Sequence, residues 1–372
     1  MVLTVTSDFE CGNIRVVDAS KPDKIRLAIE PDGQADFYQW FYFRVAGEPG
    51  PRRMVIENAS GSSYVSGWED YQARASENLT DWRQVPTRFE NGQLVIEHEA
   101  KSPVTYYAYF APYTADDAMR FTAKLGARGD VEWMPLGLSL DGRPVDALRF
   151  GEPGDGKKVI WVIARQHPGE SMGSWFAEGF CEELLSGGEL LLKNAVVYVV
   201  PIMNPDGVAR GHLRTNAAGT DLNRAWAEPS ETKSPEVFAV LKAMDKTGCD
   251  LFLDAHGDEA IANNFVAGAE GIPSWTPRLA QLLDRFKNSL IEATKDFQDK
   301  EGYPMDAAGT ADMRIACHAV GERFDCLSLT LEMPFKDAKT NPMPQEGWSP
   351  RRCRELARSV VGVMAGMADK LR

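Results

Sequence analysis

Four runs in the chain are apolar almost without interruption: KVIWVIA (158–164), AVVYVVPIM (195–203), LFLDAH (251–256) and LSLTLE (327–332). A strand with one face in water alternates apolar and polar residues. A continuous apolar run is expected where a strand is buried on both faces, as in a largely parallel sheet covered by helices. Amphipathic stretches at 172–186, 234–246, 277–298 and 350–371 are the expected covering helices. This alternation predicts a three-layer α/β domain. The first 115 residues read differently. IRLAIE (25–30), WFYFRV (40–45), RMVIEN (53–58), QLVIEH (93–98) and VTYYAYF (104–110) are rich in β-branched and aromatic residues, with turn-forming DG, GEPGP, ASGS and NG between them. They predict a small antiparallel β-sandwich. The expected organisation is a β-sandwich domain over residues 1–115 and an α/β domain over 116–372, with the boundary near APYTADD (111–117).

Composition narrows the class. A chain of 372 residues can bury a core without disulfides or structural metal. With 44% hydrophobic and 26% charged residues, disordered and fibrous classes are excluded. A net charge of −13 disfavours nonspecific binding to nucleic acid or to anionic membrane. No run reaches the ~20 apolar residues of a membrane helix. The opening MVLTVTSDFE lacks the basic and apolar regions of a secretory signal. The six cysteines show no CxxC spacing, so reduced thiols and a cytoplasmic setting are expected, and any metal should sit on histidines and carboxylates.

In an open α/β sheet, sites form beyond the carboxyl ends of strands. KVIWVIA is followed by RQHPGES, which puts His167 and Glu170 there, with Pro168 suited to a first helical turn. At i, i+3 on such a turn the two can face one point. LFLDAH ends in His256 and LSLTLE in Glu332. Taken alone, H-x-x-E is usually chance, and a single histidine is usually a structural one. Their coincidence at three strand ends gives them weight. Two imidazoles and a carboxylate form the usual shell of a catalytic zinc with an open position for water, and Glu332 is placed as a general base. In DLNR (221–224), Arg224 offers a planar fork for a carboxylate and Asn223 an amide donor. Arg214 can reach the same cavity if the loop between folds back. Asp221 can orient a metal-bound histidine. An Arg–Asn pair by itself more often marks a solvated loop.

The ordered set HPGE (167–170), NPDG (204–207), RTNAAGTDLNR (214–224), DAHG (254–257) and TLE (330–332) resembles the zinc metallocarboxypeptidases of the carboxypeptidase A type. More closely it is similar to their cytosolic branch, whose eukaryotic members trim glutamates from protein tails. FECGN (9–13), QWFYFRV (39–45), IENAS (56–60) and YFAPYT (109–114) resemble the β-sandwich that precedes the catalytic domain in that branch. The resemblance implies a catalytic domain with a mixed sheet and one zinc ion on His167, Glu170 and His256. It implies Glu332 as general base and Asn223 with Arg224 on the substrate's terminal carboxylate. It also implies Arg214 at the oxyanion and Asp221 hydrogen-bonded to His167. The expected substrate is a peptide or protein carboxy-terminal tail.

The sequence departs from the family in two places. Relatives place a tyrosine on a mobile loop before the base, whereas the nearest upstream tyrosine here is Tyr303, 29 positions before Glu332, and it is left without that role. Asp258 and Glu259, after the second histidine, read as loop residues. An acidic terminal residue is the expected preference, because the nearest branch handles one; its pocket would want a cation, and Arg314, Arg323 and His318 are the candidates, each more simply a surface charge. The segment 334–350 either borders the cleft or wraps the surface. Trp68, Tyr71 and Trp82 could contact substrate, but core packing is the simpler reading. Two other functions stay in view. One is an aspartoacylase-like deacylase of N-acylamino acids, disfavoured by the amino-terminal sandwich and the LNR context. The other is a noncatalytic zinc-containing tail binder, disfavoured by the presence of Glu332 and Arg214.

Overall fold

The computed structural model describes residues 2–372. The four apolar runs form neighbouring, mutually parallel strands in the order Ala195–Val200, Lys158–Ala164, Leu251–Asp258, Leu327–Pro334. Their side chains alternate between two cores. Ile160, Val162, Val197 and Leu253 meet Phe176, Phe180, Leu356 and Val360 of helices Ser171–Ser186 and Pro350–Met367. Trp161, Ile163, Val196 and Phe252 meet Val237, Val240 and Met244 of helix Pro235–Thr247 on the other face. Double-sided burial is why the runs lack polar interruptions.

Three antiparallel strands complete a seven-stranded mixed sheet: Val131–Leu138 and Pro144–Phe150 on one edge, Phe265–Ala267 on the other. The edge hairpin falls in a stretch to which the sequence reading assigns no element. Its outer strand contains Pro135 and a register shift between Pro135 and Gly137, which only an edge strand tolerates. Helix Ala115–Gly126 begins at a capping box between Thr114 and Asp117. The helix expected over 277–298 ends at Ala293, because Thr294 is extended and Asp296 turns away to hydrogen-bond Arg352 and Asn341.

Before it lie two five-stranded sheets, formed by strands between Thr4 and Ala108. Seven of their eight strand pairings are antiparallel, in the manner of a sandwich; the exception is Ile25–Ala28, which runs parallel to Gly50–Ile56. His98 on one sheet lies 2.8 Å from the Tyr107 hydroxyl on the other. Trp68 and Tyr71 are core residues, and Trp82 packs in an edge contact on Tyr42. The segment 334–350 lies against these sheets: Arg74 donates to the carbonyls of Phe335 and Trp348, and Gln84 to that of Pro344.

Candidate active site

His167 and Glu170 sit on a tight turn rather than on a helix; Glu170 is the residue before helix Ser171–Ser186. The turn is shaped by Arg165, a buried residue with φ of +65° whose guanidinium donates to the carbonyls of Pro168 (2.6 Å) and Tyr113 (3.2 Å). The turn serves the same end as the expected helical spacing. Glu170 Oε1 lies 2.7 Å from His167 Nδ1, and Oε2 lies 2.8 Å from His256 Nδ1. The three ligating atoms are within 4.8 Å of one another, and all three residues are buried. Burial alone would raise the Glu170 carboxyl pKa, but the adjoining imidazoles hold it well below the usual carboxylate range.

The outer ring nitrogens are held as well. His167 Nε2 lies 3.0 Å from Asp221 Oδ1, and His256 Nε2 lies 2.8 Å from Asp254 Oδ2. Asp254 also accepts from Gln166 (2.6 Å), whose amide oxygen accepts from the Trp226 indole (2.7 Å). Sequence reasoning overlooked Asp254. The signal was available, since residues two apart on a strand share a face and Asp254 stands two before His256. Two imidazoles with both outer nitrogens on carboxylates, and one carboxylate between their inner nitrogens, are a donor set that fits zinc.

Glu332 is directly opposite His256 on the neighbouring parallel strand. Its Oε1 is 3.1 Å from the Tyr303 hydroxyl, and its Oε2 is buried without a partner. Burial pushes its pKa up to about 8; the nearby His256 charge opposes this and the Glu170 carboxylate adds to it. Tyr303 is thus beside the candidate base, its hydroxyl also 2.8 Å from Asp258 Oδ2. No local pattern in the sequence announces that contact. Asp258 is the last residue of its strand rather than a loop residue, and Glu259, 7% exposed, borders the same cavity.

Arg214 is clamped between Asp221, which accepts from Nε at 2.8 Å, and the Tyr64 hydroxyl, which accepts from Nη1 at 2.7 Å. The backbone around it is fixed by buried Asp32, which accepts from the amides of Leu213 (2.6 Å), Arg214 (2.9 Å) and Thr215 (2.8 Å). Tyr64 and Asp32 come from loops between the amino-terminal strands, so that region builds one wall of the site. Asn223 is pinned by its Oδ1, which accepts from the Ala316 amide at 2.9 Å, leaving its Nδ2 available. Arg224 is exposed and bonded only to the Asn223 carbonyl, with no carboxylate paired to it among the described residues.

Residues 5–110 match the sequence profile described as the cytosolic carboxypeptidase N-terminal domain, and residues 129–350 match zinc carboxypeptidase. The chain belongs to the zinc carboxypeptidase family. As a member it is a peptidase, a metallocarboxypeptidase. A metallo-carboxypeptidase from Pseudomonas aeruginosa, solved in complex with (2-guanidinoethylmercapto)succinic acid, superposes with a TM-score of 0.97 at 44% identity, covering 99% of this chain and 100% of that one. An uncharacterised protein of Zymomonas mobilis is 44% identical over 376 residues, spanning 100% of this chain and 98% of the relative. Cytosolic carboxypeptidase 6 of Caenorhabditis elegans is 27% identical over 374 residues, spanning 90% of this chain and 79% of the relative.

In this zinc carboxypeptidase one cavity of about 850 Å³ is lined by the candidates His167, Glu170, Arg214, Asn223, Arg224 and Glu332 among others; His256 and Asp221 are not part of its lining. Of the three cations considered for an acidic terminus, only His318 lines it. Arg314 is paired with Asp312 at 2.8 Å and Arg323 with Asp245 at 2.7 Å, both outside the cavity lining. No described helix is long and apolar enough to cross a membrane.

Proposed function

We propose that the protein removes the carboxy-terminal residue from peptides or protein tails, using one zinc ion held by His167, Glu170 and His256. The observation that carries the reading is the buried, unpartnered Glu332 Oε2 in the same cavity as the His167–Glu170–His256 cluster. Zinc bound by such a set supplies a water of pKa ~7 and polarises a carbonyl. Arg224 and the Asn223 amide bind the terminal carboxylate, which fixes the register so that only the last peptide bond reaches the centre. An internal bond would leave Arg224 unpaired. Glu332 takes the proton from the attacking water and returns it to the leaving amine. Arg214, locked by Asp221 and Tyr64, is positioned to donate to the oxyanion that develops on the scissile carbonyl. Asp221 orients His167.

Residues 1–115 and 116–372 are taken as the two domains; in support, the first two sheets end at Ala108 and the third begins at Val131. A reducing, cytoplasmic setting is part of the proposal, supported by six unpaired, buried cysteines. For an acidic terminal preference, His318 is the one cation of the three considered that borders the cavity, since Arg314 and Arg323 are paired with Asp312 and Asp245. The test is a panel of free-acid peptides and N-acylamino acids incubated with zinc-loaded protein and read by mass spectrometry. Loss of single residues from the carboxyl end is expected. Acyl release without peptide trimming would move the protein to the deacylases, and no change in any substrate would leave a binder.

A further inference from the structure

The guanidinium of Arg214 is held by Asp221 and Tyr64, and the turn that carries it, residues 212–215, has a fastening of its own. His212 begins that turn and is buried. Its Nδ1 lies 2.9 Å from the Thr215 carbonyl oxygen, and its Nε2 lies 2.9 Å from the Gly33 amide nitrogen. A carbonyl only accepts and an amide N–H only donates, so Nδ1 carries the proton and Nε2 is bare. The ring is therefore a neutral imidazole in one tautomer. Its first bond closes the turn on itself. Its second crosses to the amino-terminal region. There the preceding residue, Asp32, accepts from the amides of Leu213, Arg214 and Thr215 and, at 3.0 Å, from the Thr215 hydroxyl. Asp32 and Gly33 thus interlock with the turn in both senses, one accepting and the other donating. The approach is close: a Cβ at Gly33 would fall 3.2 Å from His212 Nε2. Asn13, which donates to the Gly211 carbonyl at 2.8 Å, ties only the residue before the turn. The imidazole both shapes the turn and ties it across.

We propose that His212 is a positioning residue for the reaction, setting through this turn where the Arg214 guanidinium stands when the oxyanion forms. The proposal rests on the reading of Arg214 as the oxyanion donor. His212 does not line the active-site cavity, so it acts through Arg214 alone. A catalytic group displaced by ~1 Å can lose ~10² in rate, and the staple ends two residues from Arg214. The amino-terminal region then reaches the chemistry by two routes, Tyr64 on the guanidinium and Asp32 with Gly33 on the turn beneath it. Arg214 acts on a charge that exists only in the transition state, so loss of the staple falls on kcat rather than KM.

The test uses zinc-loaded full-length protein and a free-acid peptide. His212→Ala should lower kcat roughly tenfold, with KM within twofold and zinc content unchanged. His212→Asn keeps a donor where Nδ1 stood and loses the acceptor for Gly33; it should lose about threefold. In an Arg214→Ala background, His212→Ala should lower kcat less than twofold further, because the two residues act as one unit. An equal loss in both backgrounds, an undiminished kcat in His212→Ala, or a loss confined to KM overturns the proposal. Should His212→Ala not fold, His212→Asn carries the same comparison. If wild type trims no peptide, or Arg214→Ala costs no turnover, the reading of the site fails, and whether His212 places Arg214 is decided without turnover. Solvent exchange of the Arg214 Nε proton, followed by NMR in protein labelled in its arginines, should quicken at least tenfold in His212→Asn. Unchanged exchange refutes the positioning.

Discussion

At the metal end of the cavity each imidazole is gripped twice, His167 between Glu170 and Asp221, His256 between Glu170 and Asp254. Arg214 beside them is held by Asp221 and Tyr64. Arg224, by contrast, is exposed and bonded only to the Asn223 carbonyl, with no carboxylate paired to it among the described residues. The two ends have different tasks. Groups that act on the reacting atoms gain from being fixed before substrate arrives, because reorganisation then costs nothing during the reaction. A group proposed to bind the substrate's terminal carboxylate must keep its capacity for the ligand, so an unpaired guanidinium is an asset there.

That contrast can be broken by experiment. The largest effect is expected at Glu332→Gln, which should keep its zinc by elemental analysis while kcat falls by ~10²–10⁴. Unimpaired hydrolysis would remove Glu332 from the mechanism. Next, amidating the carboxyl terminus of a good substrate should lower kcat/KM by ~10² or more. Arg224→Ala should lose most of the discrimination between free-acid and amidated peptides; equal rates of wild type on the two would argue against the clamp. Asp254→Asn should weaken zinc ~10–100-fold in a chelator titration by releasing His256. Arg224→Ala should leave that titration unchanged, which separates metal binding from carboxylate binding in one assay. The smallest effect belongs to Tyr64→Phe, which removes one hydrogen bond to Arg214 and should slow kcat by roughly fivefold, about 1 kcal/mol. No change would mean that Asp221 alone fixes the guanidinium.

The same contrast explains what the sequence could tell. The parallel strands were legible because burial on both faces leaves an unbroken apolar run, and the candidate ligands because they stand where those runs end. Asp254 was legible by strand parity and went unread. The hairpin 131–150 was missed because its outer strand lies at the sheet edge, buries one residue of eight and tolerates Pro135, so it carries no apolar run. Tyr64 and Asp32 were out of reach for another reason: they meet Arg214 and its neighbours across 150 and about 180 residues, and a short-range pattern cannot encode such a contact. Tyr303 is the intermediate case, near in sequence but carried to Glu332 by a loop without periodicity.

The central claim is that His167, Glu170 and His256 share one ion through the inner nitrogens. The most direct test is anomalous diffraction at the zinc edge from zinc-loaded crystals. One peak is predicted, ~2.0–2.1 Å from Nδ1 of both histidines and ~2.0–2.2 Å from the Glu170 carboxylate. A crystal with full zinc content and no peak between the two imidazoles, or a peak on other residues, would contradict the account.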